Sequence, residues 1–182
     1  TATGAAATID LGSVNGLITV TGVITGKDNV SISTSGSGAI TLSAAVSNDS
    51  ATGDITIQST TGNVVTSGAI STSGATADIT IDTATSGNTT IGGNVSTSGG
   101  GNIILGADST SLVSGTGNLT INGTVTTTGT AAGDIVFGIA GGTGAINKAV
   151  TAGATGDVYF LNNLATDAYT IVSGANISAG NA

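Results

Sequence analysis

Short segments with an apolar residue at every second position recur along the whole chain, separated by Gly, Asp, Asn and Ser. One set begins with an acid or an amide, as in Asp54-Ile-Thr-Ile57 and Asp78-Ile-Thr-Ile81. A period of two residues indicates a strand with one buried face. The first apolar residues of this set are Ile9, Val30, Ile55, Ile79, Ile103, Ile135 and Val158.

Two further sets of short strands lie between these copies, always in the same order. One reads Gly-Ala-Ile70-Ser-Thr-Ser-Gly, and the other, which precedes it, reads Asn118-Leu-Thr-Ile121 in its clearest copy. The spacing of the first set runs from 21 residues (Ile9 to Val30) to 32 residues (Ile103 to Ile135). A period of roughly 24 residues therefore holds three strands, which is the signature of a repeat architecture.

Strands this short cannot form a stable flat sheet in sequence order, but coiling lets equivalent strands of successive turns pair in parallel about 4.8 Å apart. The sequence predicts an all-β fold, a right-handed parallel β-helix (β-solenoid) with three short strands per turn and about seven turns. One domain spans residues 1–182, with an irregular rung at 106–117 and a looser segment at 162–182. A β-sandwich is the alternative, although it does not explain a three-part repeat in constant order.

The composition limits both the residue types that can fill the core and the functions that the chain can have. Only 2% of the 182 residues are aromatic, and there is no Trp, Met, Cys or Pro, so Ile, Val, Leu and Ala must fill a thin core. Two basic residues stand against ten acids, giving a net charge of −8. This balance effectively excludes nucleic-acid binding, which needs clustered Lys and Arg. No apolar run is long enough for membrane insertion.

Candidate chemistry is sparse. Without His, Cys, Arg or Glu, no catalytic arrangement stands out, and we predict that the chain is not an enzyme. The acids that precede the first strand set would stack a few ångströms apart, and a bound Ca²⁺ would relieve their repulsion. The reading that we favour is that they bind local backbone at tight corners. The weak calcium candidates are Asp54, Asp78, Asp134 and Asp157.

The outward positions of the first strand set change from polar to apolar toward the carboxyl end, finishing with Ile104, Val136 and Tyr159. Together with Leu112 and Val113 of the irregular rung, they form a candidate interaction surface, because an exposed apolar row indicates a covering partner. The alternatives are that residues 162–182 cover the row, and that Leu112 and Val113 point inward in a widened corner.

A column of hydroxyls is predicted on the outward face of another strand set, at Ser71, Ser96, Thr126 and Thr151. A flat array of this kind can order water. Ser and Thr are also ordinary solvent-facing residues of strands, which is the interpretation that we favour.

The repeat motifs resemble those of a known family. Gly53-Asp-Ile-Thr-Ile57, Gly101-Asn-Ile-Ile-Leu105 and Gly117-Asn-Leu-Thr-Ile121 are similar to the repeat cores of filamentous-haemagglutinin-like adhesins, the large exoproteins of two-partner secretion. The likeness covers almost the whole chain. It implies a right-handed β-helix that is secreted to the bacterial cell surface and serves adhesion or biofilm scaffolding.

We therefore expect a non-catalytic structural or adhesive segment that acts as a rigid stalk or scaffold of a secreted bacterial surface protein. No capping helix or polar terminal repeat is visible, so a subunit of an extracellular filament, stacked end to end, is the alternative. A glycan-binding module is the third reading. Expected partners are flanking repeats of the same chain, identical subunits, or host or matrix glycans, with no cofactor unless Ca²⁺ binds.

Overall fold

The structure, a computed structural model, describes residues 8–106, 117–129, 131–139, 141–162 and 167–180. These residues form 21 strands and no helix. The strands make three parallel sheets of seven, and each sheet takes every third strand of the chain. This arrangement confirms the predicted parallel β-solenoid with three strands per turn and seven turns, which we call rungs.

The three sheets collect equivalent strands from successive rungs. Sheet A contains β1 (Ile9–Ser13), β4 (Val30–Thr34), β7 (Ile55–Ser59), β10 (Ile79–Thr83), β13 (Ile103–Leu105), β16 (Ile135–Ile139) and β19 (Val158–Asn162). Sheet B contains β2 (Ile18–Val20), β5 (Ile40–Leu42), β8 (Val64–Thr66), β11 (Thr89–Ile91), β14 (Leu119–Ile121), β17 (Thr143–Ile146) and β20 (Ala168–Ile171). Sheet C contains β3 (Ile24–Gly26), β6 (Val46–Asn48), β9 (Ile70–Thr72), β12 (Val95–Thr97), β15 (Val125–Thr127), β18 (Val150–Thr151) and β21 (Ile177–Ser178).

The register of sheet A confirms the predicted apolar column. Ile55 pairs with Val30 on one side and with Ile79 on the other, and the backbone N–H of Ile55 donates to the carbonyl of Asp78 at 2.9 Å. Ile103 pairs with Ile135 despite the longer spacing between them. A shift of one residue would turn every buried side chain outward, so the apolar pattern itself fixes this register.

The core widens toward the carboxyl end of the chain. Phe137 is fully buried and stacks on Phe160, with ring centroids 5.3 Å apart, and Phe160 meets the ring of Tyr169 edge-on at 5.0 Å. Gly144 lies beneath Tyr169 in sheet B, where a Cβ atom would collide with the tyrosine ring. The glycine therefore makes room for an aromatic side chain in a core otherwise filled by Ile, Val and Leu.

One corner of the solenoid is made of glycine in six successive rungs. Its members, each two residues before the inward position that starts a sheet B column, are Gly16, Gly38, Gly62, Gly87, Gly117 and Gly142. A Cβ atom on Gly87 would lie only 2.6 Å from the carbonyl oxygen of Gly62. The backbones of successive rungs therefore touch at this corner, and a side chain has no room between them.

Buried hydroxyls end the strands of sheet C on the inside. Thr72, Thr97 and Thr127 are buried and follow one another in register. Thr97 Oγ1 donates to the carbonyl of Gly101 at 2.9 Å, and Thr127 Oγ1 donates to the carbonyl of Gly133 at 2.8 Å. Each threonine thus satisfies a carbonyl of the following corner, a role that the apolar alternation alone does not predict.

Candidate functional surfaces

The acid and amide column beside sheet A is a ladder of hydrogen bonds between rungs. Asp54 Oδ1 accepts the backbone N–H of Asp78, and Asp78 Oδ1 accepts that of Asn102. The same bond joins Asn102 to Asp134 and Asp134 to Asp157, each at 2.9 Å. The sequence placed these side chains at tight corners, but they bind the backbone of the next rung and not that of their own turn. The difference arises because stacking brings the following corner directly over each side chain.

A second ladder, which sequence reasoning did not single out, runs beside sheet B. Asn63 Oδ1 accepts the N–H of Asn88 at 2.8 Å, Asn88 accepts from Asn118 at 2.9 Å, and Asn118 accepts from Thr143 at 2.9 Å. The repeated Gly-Asn pair in the sequence could have indicated this ladder. At most positions of both corners a glycine precedes the ladder residue, whose side-chain oxygen joins the rungs, although Ala77 precedes Asp78.

The four calcium candidates all belong to the first ladder. Within the described residues, no group of three or more His, Cys, Asp or Glu side chains is placed to share a metal ion. Asp54, Asp78 and Asp134 use one oxygen each to accept a backbone N–H, and Asp157 Oδ2 accepts the hydroxyl of Tyr159 at 3.2 Å. Calcium binding by these residues stays a prediction.

The carboxyl of Asp78 in this ladder has a shifted pKa. Burial raises its pKa above the ordinary value, and the charge of Asp54 on the rung below adds to the rise, whereas the hydrogen bonds from Asn102 oppose it. A raised pKa means that the folded protein holds this proton more tightly than the unfolded chain does. The contribution of Asp78 to stability is therefore full at low pH and is lost as the pH rises through its folded-state pKa.

We predict that Asp78→Asn stabilises the protein at pH 7, because the amide keeps the Oδ1 acceptor and removes a desolvated charge. Asn29 and Asn102 already hold equivalent ladder positions, so the replacement fits. The side chain is partly exposed, so we expect a gain of at most about 1 kcal/mol in the free energy of unfolding. Urea denaturation at pH 7 and at pH 3 measures it, and the gain should shrink at the lower pH.

Asp10→Asn is the matched control, since it removes one charge from an exposed outward position of sheet A. It should change the free energy of unfolding by less than about 0.5 kcal/mol. Equal gains from Asp10→Asn and Asp78→Asn would assign the effect to net charge and contradict the local explanation.

The apolar row of sheet A is placed as the sequence predicted. Ile104 pairs with Val136, and Val136 pairs with Tyr159, all in one outward column. Ile104 and Val136 are partly covered, and Tyr159 is exposed. The hydroxyl of Tyr159 donates to Asp157, and this hydrogen bond and the charge of Asp157 raise the pKa of the tyrosine.

The other members of the candidate interaction surface, Leu112 and Val113, lie outside the described residues. The proposed cover from the final segment does not form in the part that the structure describes. Residues 167–180 supply β20 and β21, which pair in sheets B and C. These two strands complete the seventh rung, and they do not cover the outward row on sheet A.

The predicted hydroxyl column covers every rung of sheet C. Ser71, Ser96, Thr126 and Thr151 follow one another in register, and Thr25, Ser47 and Ser178 extend the column to both ends. The residues on this face are small and neutral. They make the outward column of sheet C uncharged.

On the first and last of the described rungs, apolar residues of the inward columns are exposed. On the first rung Leu11 is 37% exposed, although its equivalents Ile32 and Ile57 are fully buried. On the last rung Ile171 is 49% exposed, whereas Ile146 below it is fully buried. The exposure follows from position, because an end rung has a neighbour on one side only among the described residues.

Fold and surfaces together define a parallel β-solenoid repeat protein. No family model, no curated protein and no solved structure matches the chain. No helix in the described part of the chain is long and apolar enough to cross a membrane.

Proposed function

We propose that the chain is a non-catalytic segment of a secreted bacterial surface protein, in which it acts as a rigid stalk or scaffold for adhesion or biofilm formation. The observation that carries the proposal is the unbroken register of three sheets through seven rungs. Such a rod gains length by adding rungs, because each rung packs only on its two neighbours.

The side-chain chemistry supports a structural role. Asp and Asn at the corners join rungs, as in the ladder from Asn29 to Asp157, and the buried hydroxyl of Thr97 binds the carbonyl of Gly101 in the following corner. The motifs that resemble adhesin repeats are the same Gly-Asp and Gly-Asn corners. The stacking of rungs therefore explains why these motifs repeat, and a stalk requires such stacking.

The test is to display the full chain on a bacterium through an outer-membrane anchor and to measure attachment to matrix-coated glass and biofilm mass. Cells that carry the anchor alone are the control. We expect more attachment and biofilm with the chain than with the anchor. Equal values for both strains would refute the adhesive role.

A glycan array probed with the purified chain distinguishes the scaffold function from that of a dedicated glycan-binding module. A scaffold gives no saturable signal with any single glycan. A strong signal that Tyr159→Ala abolishes would replace the scaffold by a glycan-binding function, because Tyr159 is an exposed aromatic ring on sheet A.

A further inference from the structure

Apolar side chains line the outward side of sheet A on its last three described strands. Ile104, Val136 and Tyr159 follow one another in register there, whereas the same column carries hydroxyls on β4, β7 and β10. Tyr159 is 43% exposed, and residues 167–180 pair in sheets B and C without covering it. A contiguous apolar patch on the side of a protein marks a candidate contact with another molecule.

Two carboxylates lie directly beside this row. Asp134 and Asp157 precede Val136 and Tyr159 by two residues, so each lies on the same side as the apolar residue of its strand, roughly 7 Å away along the chain. The hydroxyl of Tyr159 donates to Asp157 at 3.2 Å. This hydrogen bond, together with the charges of Asp157 and Asp134, raises the pKa of Tyr159, as expected when both carboxylates lie near the ring.

Neither lysine of the chain lies beside these carboxylates. Lys27 forms an ion pair with Asp49 next to the first rungs. Lys148 lies between β17 and β18, at the corner that joins sheets B and C, whereas the acid ladder lies at the corner that joins sheets C and A. The chain has no other Lys or Arg. The row therefore combines apolar contact area with negative charge that the chain's own basic side chains do not neutralise.

Charge complementarity decides which class of partner fits this surface. A second copy of the chain would bring a net charge of −8 and the same carboxylates, and nucleic acid or anionic lipid would be repelled in the same way. Ile104 and Val136 are aliphatic, and they favour apolar side chains over the faces of sugar rings. Basic side chains are attracted both by carboxylates and by the ring of Tyr159. A peptide that carries basic and apolar side chains satisfies all of these features.

The spacing of the two columns specifies the peptide further. In an extended peptide, residues two positions apart face the same side and lie roughly 7 Å apart, which matches the separation of Asp134 from Val136 and of Asp157 from Tyr159. We propose that this outward surface of sheet A binds an extended segment of a partner protein in which a Lys or Arg stands two residues from an apolar residue. The basic side chain meets a ladder carboxylate, and the apolar side chain packs on the row. The docking site does not depend on the proposed adhesive role.

Fluorescence anisotropy with labelled synthetic peptides tests the proposal. The probe is built of the repeat Lys-Ser-Leu-Ser, which places each basic residue two positions from an apolar one. A Lys-Ser-Ser-Ser peptide keeps the charge and removes the apolar residues, and a Glu-Ser-Leu-Ser peptide keeps the apolar residues and reverses the charge. We expect saturable binding of the first peptide to the full chain at physiological salt, and weaker binding of both others.

Variants of the chain assign the binding to the row. Asp134→Asn combined with Asp157→Asn should weaken binding about three- to tenfold, because two exposed charge pairs are lost. The amide keeps the ladder acceptor, as Asn102 does at the neighbouring position. Val136→Thr replaces an outward apolar side chain by a polar one of the same shape and should weaken binding about fivefold.

Asp54→Asn combined with Asp78→Asn is the matched control. It removes the same number of charges from the same ladder, but beside the outward residues Thr56 and Thr80 instead of the apolar row. We expect it to leave binding of the Lys-Ser-Leu-Ser peptide within about twofold of the unchanged chain.

Four results would overturn the proposal. The unchanged chain could give no saturable signal with the Lys-Ser-Leu-Ser peptide. The Lys-Ser-Ser-Ser peptide could bind as tightly, which would reduce the contact to charge alone. The control at Asp54 and Asp78 could weaken binding as much as the variant at Asp134 and Asp157, which would assign it to the net charge of the rod. A cationic amino-sugar polymer could displace the peptide at a lower concentration than the unlabelled peptide does, which would assign the row to carbohydrate.

Discussion

Phe137→Ala should lower the free energy of unfolding by about 3–5 kcal/mol, the cost of removing a fully buried aromatic ring. Phe137 is the largest fully buried side chain and stacks on Phe160 at 5.3 Å. Leu105 and Phe160, its neighbours in the column, are held in register by strand pairing, so they cannot move far into the cavity. Urea denaturation followed by far-ultraviolet circular dichroism measures the loss.

The effect of Phe137→Ala should also be local. In stacked repeats stability is close to a sum of terms within rungs and between neighbouring rungs. Hydrogen exchange should therefore accelerate most in β16 and β19, and least in β4 and β7. Val136→Ala is the control, because the neighbouring side chain points outward and should cost less than about 1 kcal/mol. Equal costs for both variants would contradict the assigned faces of β16.

Gly62→Ala should lower the free energy of unfolding by about 1–3 kcal/mol through overpacking. A Cβ atom at Gly62 would lie 2.8 Å from the carbonyl oxygen of Ser37 and closer still to the carbonyl of Gly38. Backbone atoms cannot turn aside as a flexible side chain does, so the two rungs must separate at this corner. The free energy of unfolding in urea reports the change.

Gly12→Ala provides the comparison for Gly62→Ala. Gly12 lies in β1 on the first rung, and a Cβ atom there would meet nothing within 4 Å. We expect Gly12→Ala to change stability by less than about 0.5 kcal/mol, or to raise it slightly by restricting the unfolded chain. If Gly12→Ala costs as much as Gly62→Ala, the loss comes from backbone preference and the close contact between rungs is not its cause.

The strand sets predicted from alternation match the three sheets, including the column that joins Ile55 to Ile79 and Ile103 to Ile135. The irregular spacing before Ile135 does not disturb this register, since Ile103 pairs with Ile135 as it pairs with Ile79. The outward row of Ile104, Val136 and Tyr159 was equally predictable, since a period of two places alternate residues on opposite faces.

The partners of the corner residues could not be predicted from the sequence. The pattern shows that Asp78 and Asn118 lie at turns, but only the stacked rungs show that each accepts an N–H from a residue at least 24 positions later. Contacts of this kind depend on the offset between rungs, which no local pattern contains. Thr97 is a different case, because its hydroxyl binds the carbonyl of Gly101 only four residues later, but the apolar alternation does not show that this polar side chain is buried.

The sequence by itself determined the strands, their order and the face that each residue occupies, because these follow from local alternation and from the period of the repeat. The tertiary structure decided what the corners do and what the ends expose. Glycine at Gly62 and the amide at Asn63 have a role only when another rung lies within hydrogen-bonding distance. The exposure of Leu11 and Ile171 likewise arises from their positions on the first and last of the described rungs.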